Sequence, residues 1–111
     1  MAAVVLSGAT LPGMGAFPAG GPPLLATQGT ADTTNAPSNT ETYFDRARRP
    51  KFLLWLIGAS HLPPYTEQQP QLGIVERATT AFLDRYLKQG SLRAFEDSAR
   101  RPGLTRLVAD P

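Results

Sequence analysis

The chain has 111 residues, room for one small domain, and 41% of them are hydrophobic, which argues against wholesale disorder. It has no cysteine and a single histidine, His61, which excludes a disulfide framework, thiolate metal sites and the common zinc sites while leaving the redox compartment open. The formal charge is only +2, and Arg46, Arg48, Arg49 and Lys51 bunch where a helix is expected to end, so they read as partners of its C-terminal dipole and not as a nucleic-acid patch.

No charged side chain precedes Asp32. Even so, no Lys or Arg forms an n-region ahead of the apolar run 1–6. Gly8, Pro12, Gly13, Gly15 and Pro18 break any longer run, far short of the ~20 apolar residues of a spanning helix. Neither a signal peptide nor a membrane span is expected. The compartment is left open, with the cytoplasm as the default and secretion requiring a signal upstream.

Residues 2–7 read as a strand with β-branched Val4 and Val5, closed by Gly8. Continuous apolarity fits a parallel strand covered on both faces. Residues 13–22 form a loop rich in Gly, Ala and Pro; Gly13-Met14-Gly15 and Gly20-Gly21 lack the Lys-Ser/Thr of a phosphate loop. A second strand is expected over 24–28. A helix over 38–48 follows, opened by a capping box at Ser38 and Glu41 and stopped by Pro50. The third strand covers 52–57. After a turn-rich stretch at 63–70, a long helix over 71–89 presents Leu72, Val75, Ala78, Phe82, Leu83, Tyr86 and Leu87 at helical spacing, with Gly90 at its C′ position. Residues 91–111 are mixed and read as an extension that frays or adds one short helix or strand. The order strand, loop, strand, helix, strand, helix is part of a doubly wound α/β sheet.

Two segments carry chemistry, Gly29-Thr30-Ala31-Asp32 and Gly58-Ala59-Ser60-His61. Each follows an apolar strand, and ligands of open α/β sheets bind beyond the carboxyl ends of the strands. Asp32 reads in two ways: as the partner that fixes an imidazole tautomer and stabilises the imidazolium, or as an Asx turn bonded to its own backbone. His61 reads as a general base or as a structural histidine bonded to a loop carbonyl. Their equivalent placement after successive strands favours the paired, catalytic reading, since a right-handed crossover brings such strand ends together.

Residues 23–32 resemble the acid strand and turn of the α/β-hydrolases, and 50–61 resemble their last strand and histidine turn. Residues 71–90 resemble the closing helix, and 2–7 the strand after the nucleophile helix. The likeness runs from about residue 2 to residue 90. It is closest to the dienelactone-hydrolase and chlorophyllase-like esterase branch. It implies the C-terminal portion of an α/β-hydrolase domain over 1–90, with 91–111 as extension. It also implies Asp32 and His61 as catalytic acid and base, a small-molecule ester as substrate, and neither cofactor nor metal. The family's nucleophile lies in Gly-x-Ser-x-Gly, and no such pentapeptide occurs here. Around Ser7 the sequence is Val5-Leu6-Ser7-Gly8-Ala9, and Ser60 lacks the second glycine. The chain is therefore expected to supply acid and base to a serine hydrolase without its nucleophile, to be truncated or mis-started, and to be inactive alone. The expected partners are an N-terminal half, or a second copy through an exposed sheet edge. The alternative is a small non-catalytic α/β module, or half of a split or pseudoenzyme assembly.

Overall fold

In the computed structural model, which describes residues 1–8 and 21–111, one four-stranded sheet runs in the order β1 (Ala3–Leu6), β2 (Leu24–Gly29), β3 (Lys51–Leu56) and β4 (Thr105–Asp110). The first three strands are parallel, with Leu24 opposite both Ala3 and Lys51, and β4 runs antiparallel to β3. The loop expected over 13–22 lies outside the described residues up to Gly20. The architecture is an open, mostly parallel α/β sheet with flanking helices.

Strand alternation divides the apolar runs between two layers. Leu24 and Ala26 of β2, with Leu53 and Trp55 of β3, face α1 (Pro37–Arg46) and its Tyr43 and Phe44. Leu25 of β2, with Phe52, Leu54 and Leu56 of β3, faces the other layer. That layer holds α2 (Pro63–Thr66), α3 (Gln71–Leu87) and α4 (Leu92–Ala99). Phe52 and Phe82 meet there edge to face at 6.1 Å, and Phe95 of α4 lies 4.9 Å from Phe52. Both faces of β2 and β3 are thus covered, the condition that continuous apolar strands require.

Five details differ from the sequence reading. The capping box at Ser38 and Glu41 does not form: α1 starts at Pro37 with Ala36 as N-cap and no side-chain cap. Proline suits the first helical position because its φ is already helical and its missing N–H would be unpaired there. The helix ends at Arg46, and Lys51 donates to the carbonyls of Phe44 (2.9 Å) and Asp45 (3.1 Å), closing the last turn with a cation. At the end of α3 the left-handed residue is Gln89 (φ 61), and Gly90 instead donates its N–H to the Asp84 carbonyl at 2.8 Å. On α3 the buried face is Gln71, Ile74, Val75, Ala78 and Phe82, while Leu87 is 56% exposed. Finally, residues 91–111 are integral: α4 enters the core through Phe95 and Ala99, and β4 pairs with the full length of β3.

Candidate functional site

The two turns that follow β2 and β3 are stitched to each other. The Thr30 and Ala31 amides donate to the carbonyls of Leu56 (3.1 Å) and Ala59 (2.9 Å), and the Gly58 amide donates to Thr30 Oγ1 (2.7 Å). The strand pairing therefore continues past the strand ends. Gly29 makes this approach feasible, because a Cβ there would sit 2.3 Å from the Ala59 carbonyl oxygen and 2.7 Å from that of Ser60. Gly29→Ala is expected to force the turns apart and to lower stability by about 1–3 kcal/mol, the range of an overpacked site. Urea unfolding checks this, and a variant as stable as the parent would show that the turns separate freely.

The stitched turns bring Asp32 and His61 together, with His61 Nδ1 2.7 Å from Asp32 Oδ2. The Asp32 side chain is wholly buried, and that of His61 keeps 28% of its surface exposed. The two oxygens of Asp32 have separate sets of partners. Oδ1 closes an Asx turn, accepting the backbone N–H groups of Thr34 (2.9 Å) and Asn35 (2.7 Å). Oδ2 takes the imidazole, together with the Ser7 hydroxyl (3.1 Å) and Gln28 Nε2 (3.2 Å).

Burial alone pushes the Asp32 carboxyl up. The Asn35 amide, His61, the Ser7 hydroxyl and the Thr34 amide together outweigh it and hold the pKa at about 2. Asp32 is therefore a carboxylate at neutral pH, and a carboxylate only accepts hydrogen bonds. Nδ1 of His61 must carry the proton in the 2.7 Å contact, which leaves Nε2 of the neutral ring as its lone-pair nitrogen. That is the tautomer a general base needs. His61 also lines a cleft of about 360 Å³ with Thr33, Thr34, Ser60, Leu62 and Pro63.

Ser7 is bonded to the acid. It follows β1 in the left-handed region at φ 52, is buried, and gives its proton to the acid. Sequence reasoning missed the polar cluster behind Asp32, namely Gln28, Asn35 and Thr40. A signal was present: Gln28 is polar on the strand face that otherwise carries Leu24 and Ala26. Thr40 Oγ1 donates to Gln28 Oε1 at 2.6 Å, and Asn35 Nδ2 donates to the carbonyls of Ser7 (3.0 Å) and Gly8 (2.9 Å). On the other sheet face, Thr27 Oγ1 donates to the Tyr65 hydroxyl at 3.0 Å, and burial raises the pKa of that phenol.

Among the described residues no group of three or more His, Asp or Glu side chains could hold a metal ion, and no helix is long and apolar enough to cross a membrane. No family model matches the chain, and no curated protein matches it.

Proposed function

We propose that Asp32 and His61 are the acid and base of a serine hydrolase of the α/β-hydrolase type, acting on carboxylic esters. The observation that carries this reading is the 2.7 Å contact between His61 Nδ1 and an ionised, fully buried Asp32 beyond the carboxyl ends of two neighbouring parallel strands. In this mechanism Nε2 of His61 takes the proton of a serine hydroxyl as it attacks the ester carbonyl. The imidazolium so formed is stabilised by Asp32, which stays ionised, and returns the proton to the leaving alcohol. The chain lacks Gly-x-Ser-x-Gly, so the nucleophile and the amide that adjoins it in the oxyanion hole come from outside these 111 residues. The substrate is a small ester, reached from the cleft beside His61.

One observation favours a second reading, in which the pair is a clasp in a non-catalytic module. Asp32 also ties the end of β1 to the turn after β2 through Ser7, Thr34 and Asn35, a purely structural use of the carboxylate.

Two measurements separate these readings. The 111-residue chain alone is expected to hydrolyse a short activated ester no faster than buffer. Turnover that disappears in His61→Ala would place the nucleophile within this chain. The reading frame upstream of Met1 is expected to encode Gly-x-Ser-x-Gly within about a hundred codons, which fits the roughly 200–250 residues of a complete α/β domain. An upstream frame without that motif, together with an inactive chain, would leave the clasp reading standing.

A further inference from the structure

We propose that Gln28 and Ser7 are positioning residues for the Asp32–His61 pair, fixing from two strands the carboxylate oxygen that faces the imidazole. The proposal rests on the acid–base reading of that pair. Three donors converge on Oδ2: His61 Nδ1 at 2.7 Å, the Ser7 hydroxyl at 3.1 Å and Gln28 Nε2 at 3.2 Å. Two of them come from residues whose presence packing does not require.

Gln28 is fully buried on the face of β2 that carries Leu24 and Ala26 toward α1. An apolar side chain would continue that face, and burying an amide is unfavourable unless every polar atom is paired. Here every polar atom is paired. Nε2 also donates to the carbonyls of Gly29 (3.0 Å) and Asn35 (3.2 Å), and Oε1 accepts from Thr40 Oγ1 (2.6 Å) and Asn35 Nδ2 (3.3 Å). The two N–H groups of the amide are shared among the two carbonyls and Oδ2, which holds the amide beside the carboxylate.

Ser7 is a non-glycine residue at φ 52, a conformation that persists only where its surroundings impose it. Its N–H bonds the Thr27 carbonyl at 3.0 Å, its own carbonyl accepts from Asn35 Nδ2, and the strained turn delivers the hydroxyl to Oδ2. Strained backbone of this kind gathers at working sites. With Oδ1 fixed by the Thr34 and Asn35 amides, the carboxylate plane is set by four donors other than the imidazole. The acid therefore holds its orientation whether or not His61 is engaged.

The test follows the low-field proton resonance of His61 Nδ1–H in the full chain by NMR. The parent is expected to show it and Asp32→Asn to lose it; its absence in the parent, or survival in Asp32→Asn, would overturn the acid–base reading itself. Gln28→Met keeps size and removes the donor. Ser7→Gly removes the hydroxyl with the residue that tolerates φ 52 best. Each is expected to speed exchange of that proton with water roughly three- to tenfold, the worth of one hydrogen bond. Ile74→Val, in the core on the far face, controls for mere loss of stability and is expected to leave the exchange rate unchanged. Parent-like exchange in Ser7→Gly and in whichever Gln28→Met preparation folds would overturn the positioning role while leaving the acid–base reading intact. Should Gln28→Met fail to fold, Ser7→Gly decides alone.

Discussion

Asp32→Asn is expected to produce the largest single-residue effect at the site, in stability, in acid sensitivity and in any catalysis the pair supports. An asparagine can keep its carbonyl toward the Thr34 and Asn35 amides, but its NH2 then faces three donors: Ser7, Gln28 and the Nδ1 side of His61. The flipped amide fares no better, since its NH2 then meets the two backbone N–H groups. Gln28 Nε2 keeps the Gly29 and Asn35 carbonyls, so the conflict falls on the Ser7 hydroxyl, His61 and the new amide; at about 1–3 kcal/mol for each buried group left unpaired, a loss of about 3 kcal/mol at pH 7 is expected from urea unfolding. The imidazole can also relieve the conflict by moving its proton to Nε2, the wrong tautomer for a base. In an enzyme that uses this pair, that change is expected to lower kcat by about 10⁴-fold.

The acid dependence is a separate readout of the same substitution. The folded pKa of Asp32 is about 2, against 3.8 for the unperturbed group. A depressed carboxyl supplies its stability in full above the unfolded value, and that stability is lost as pH falls from about 3.8 through about 2. At about 1.36 kcal/mol per pH unit the loss amounts to about 2 kcal/mol. Asparagine does not titrate, so the difference between parent and variant is expected to shrink by that amount between pH 5 and pH 2. Acid limbs that run parallel in the two proteins would show that Asp32 is not held down by its donors.

The features that were legible in the sequence are those set by local pattern. The runs 24–28 and 52–57 declare buried strands because both faces are apolar, and α3 declares itself by helical spacing. The Asp32–His61 pairing was legible because equal position after successive parallel strands converts directly into proximity. The features that were hidden depend on tertiary context. Pro37 and Ser38 both offer a helix start, and only the path of the chain out of the Asp32 turn decides for proline. Gln89 adopts the left-handed conformation although a glycine stands next to it, and the Gly90 amide is thereby brought to the Asp84 carbonyl. The cluster of Ser7, Gln28, Asn35 and Thr40 joins the end of β1, the end of β2 and the first turn of α1. The local pattern marks only Gln28, polar on the face of Leu24 and Ala26; the cluster as a whole is unmarked, because its members become neighbours only when β1 pairs with β2 and α1 folds over them.

The fourth strand was hidden for a related reason, and it carries the other large expectation. Thr105-Arg106-Leu107-Val108-Ala109-Asp110 alternates weakly and follows Arg-Arg-Pro-Gly, so nothing local distinguishes it from a fraying tail. Its partner is β3, with Leu107 opposite Leu54 and Arg106 opposite Trp55, whose ring lies 5.6 Å from the Arg106 guanidinium carbon. Ahead of it, Phe95 is completely buried, 4.9 Å from the Phe52 ring and 5.6 Å from the Phe82 ring. Ending the chain after Gly90 would remove both elements, open one face of the aromatic cluster and leave the apolar edge of β3 unpaired. Unpaired apolar edges recruit other chains. The fragment 1–90 is expected to show no cooperative unfolding transition and to sediment as aggregates. Phe95→Ala in the full chain reports the packing contribution alone, with an expected loss of about 3–5 kcal/mol from the cavity it leaves. Since single domains are stable by only ~5–15 kcal/mol, that one substitution should consume much of the margin. A fragment 1–90 that remains monomeric and unfolds at the parent's urea midpoint would show that the first three strands and α1 to α3 are sufficient, and that α4 and β4 merely rest against them.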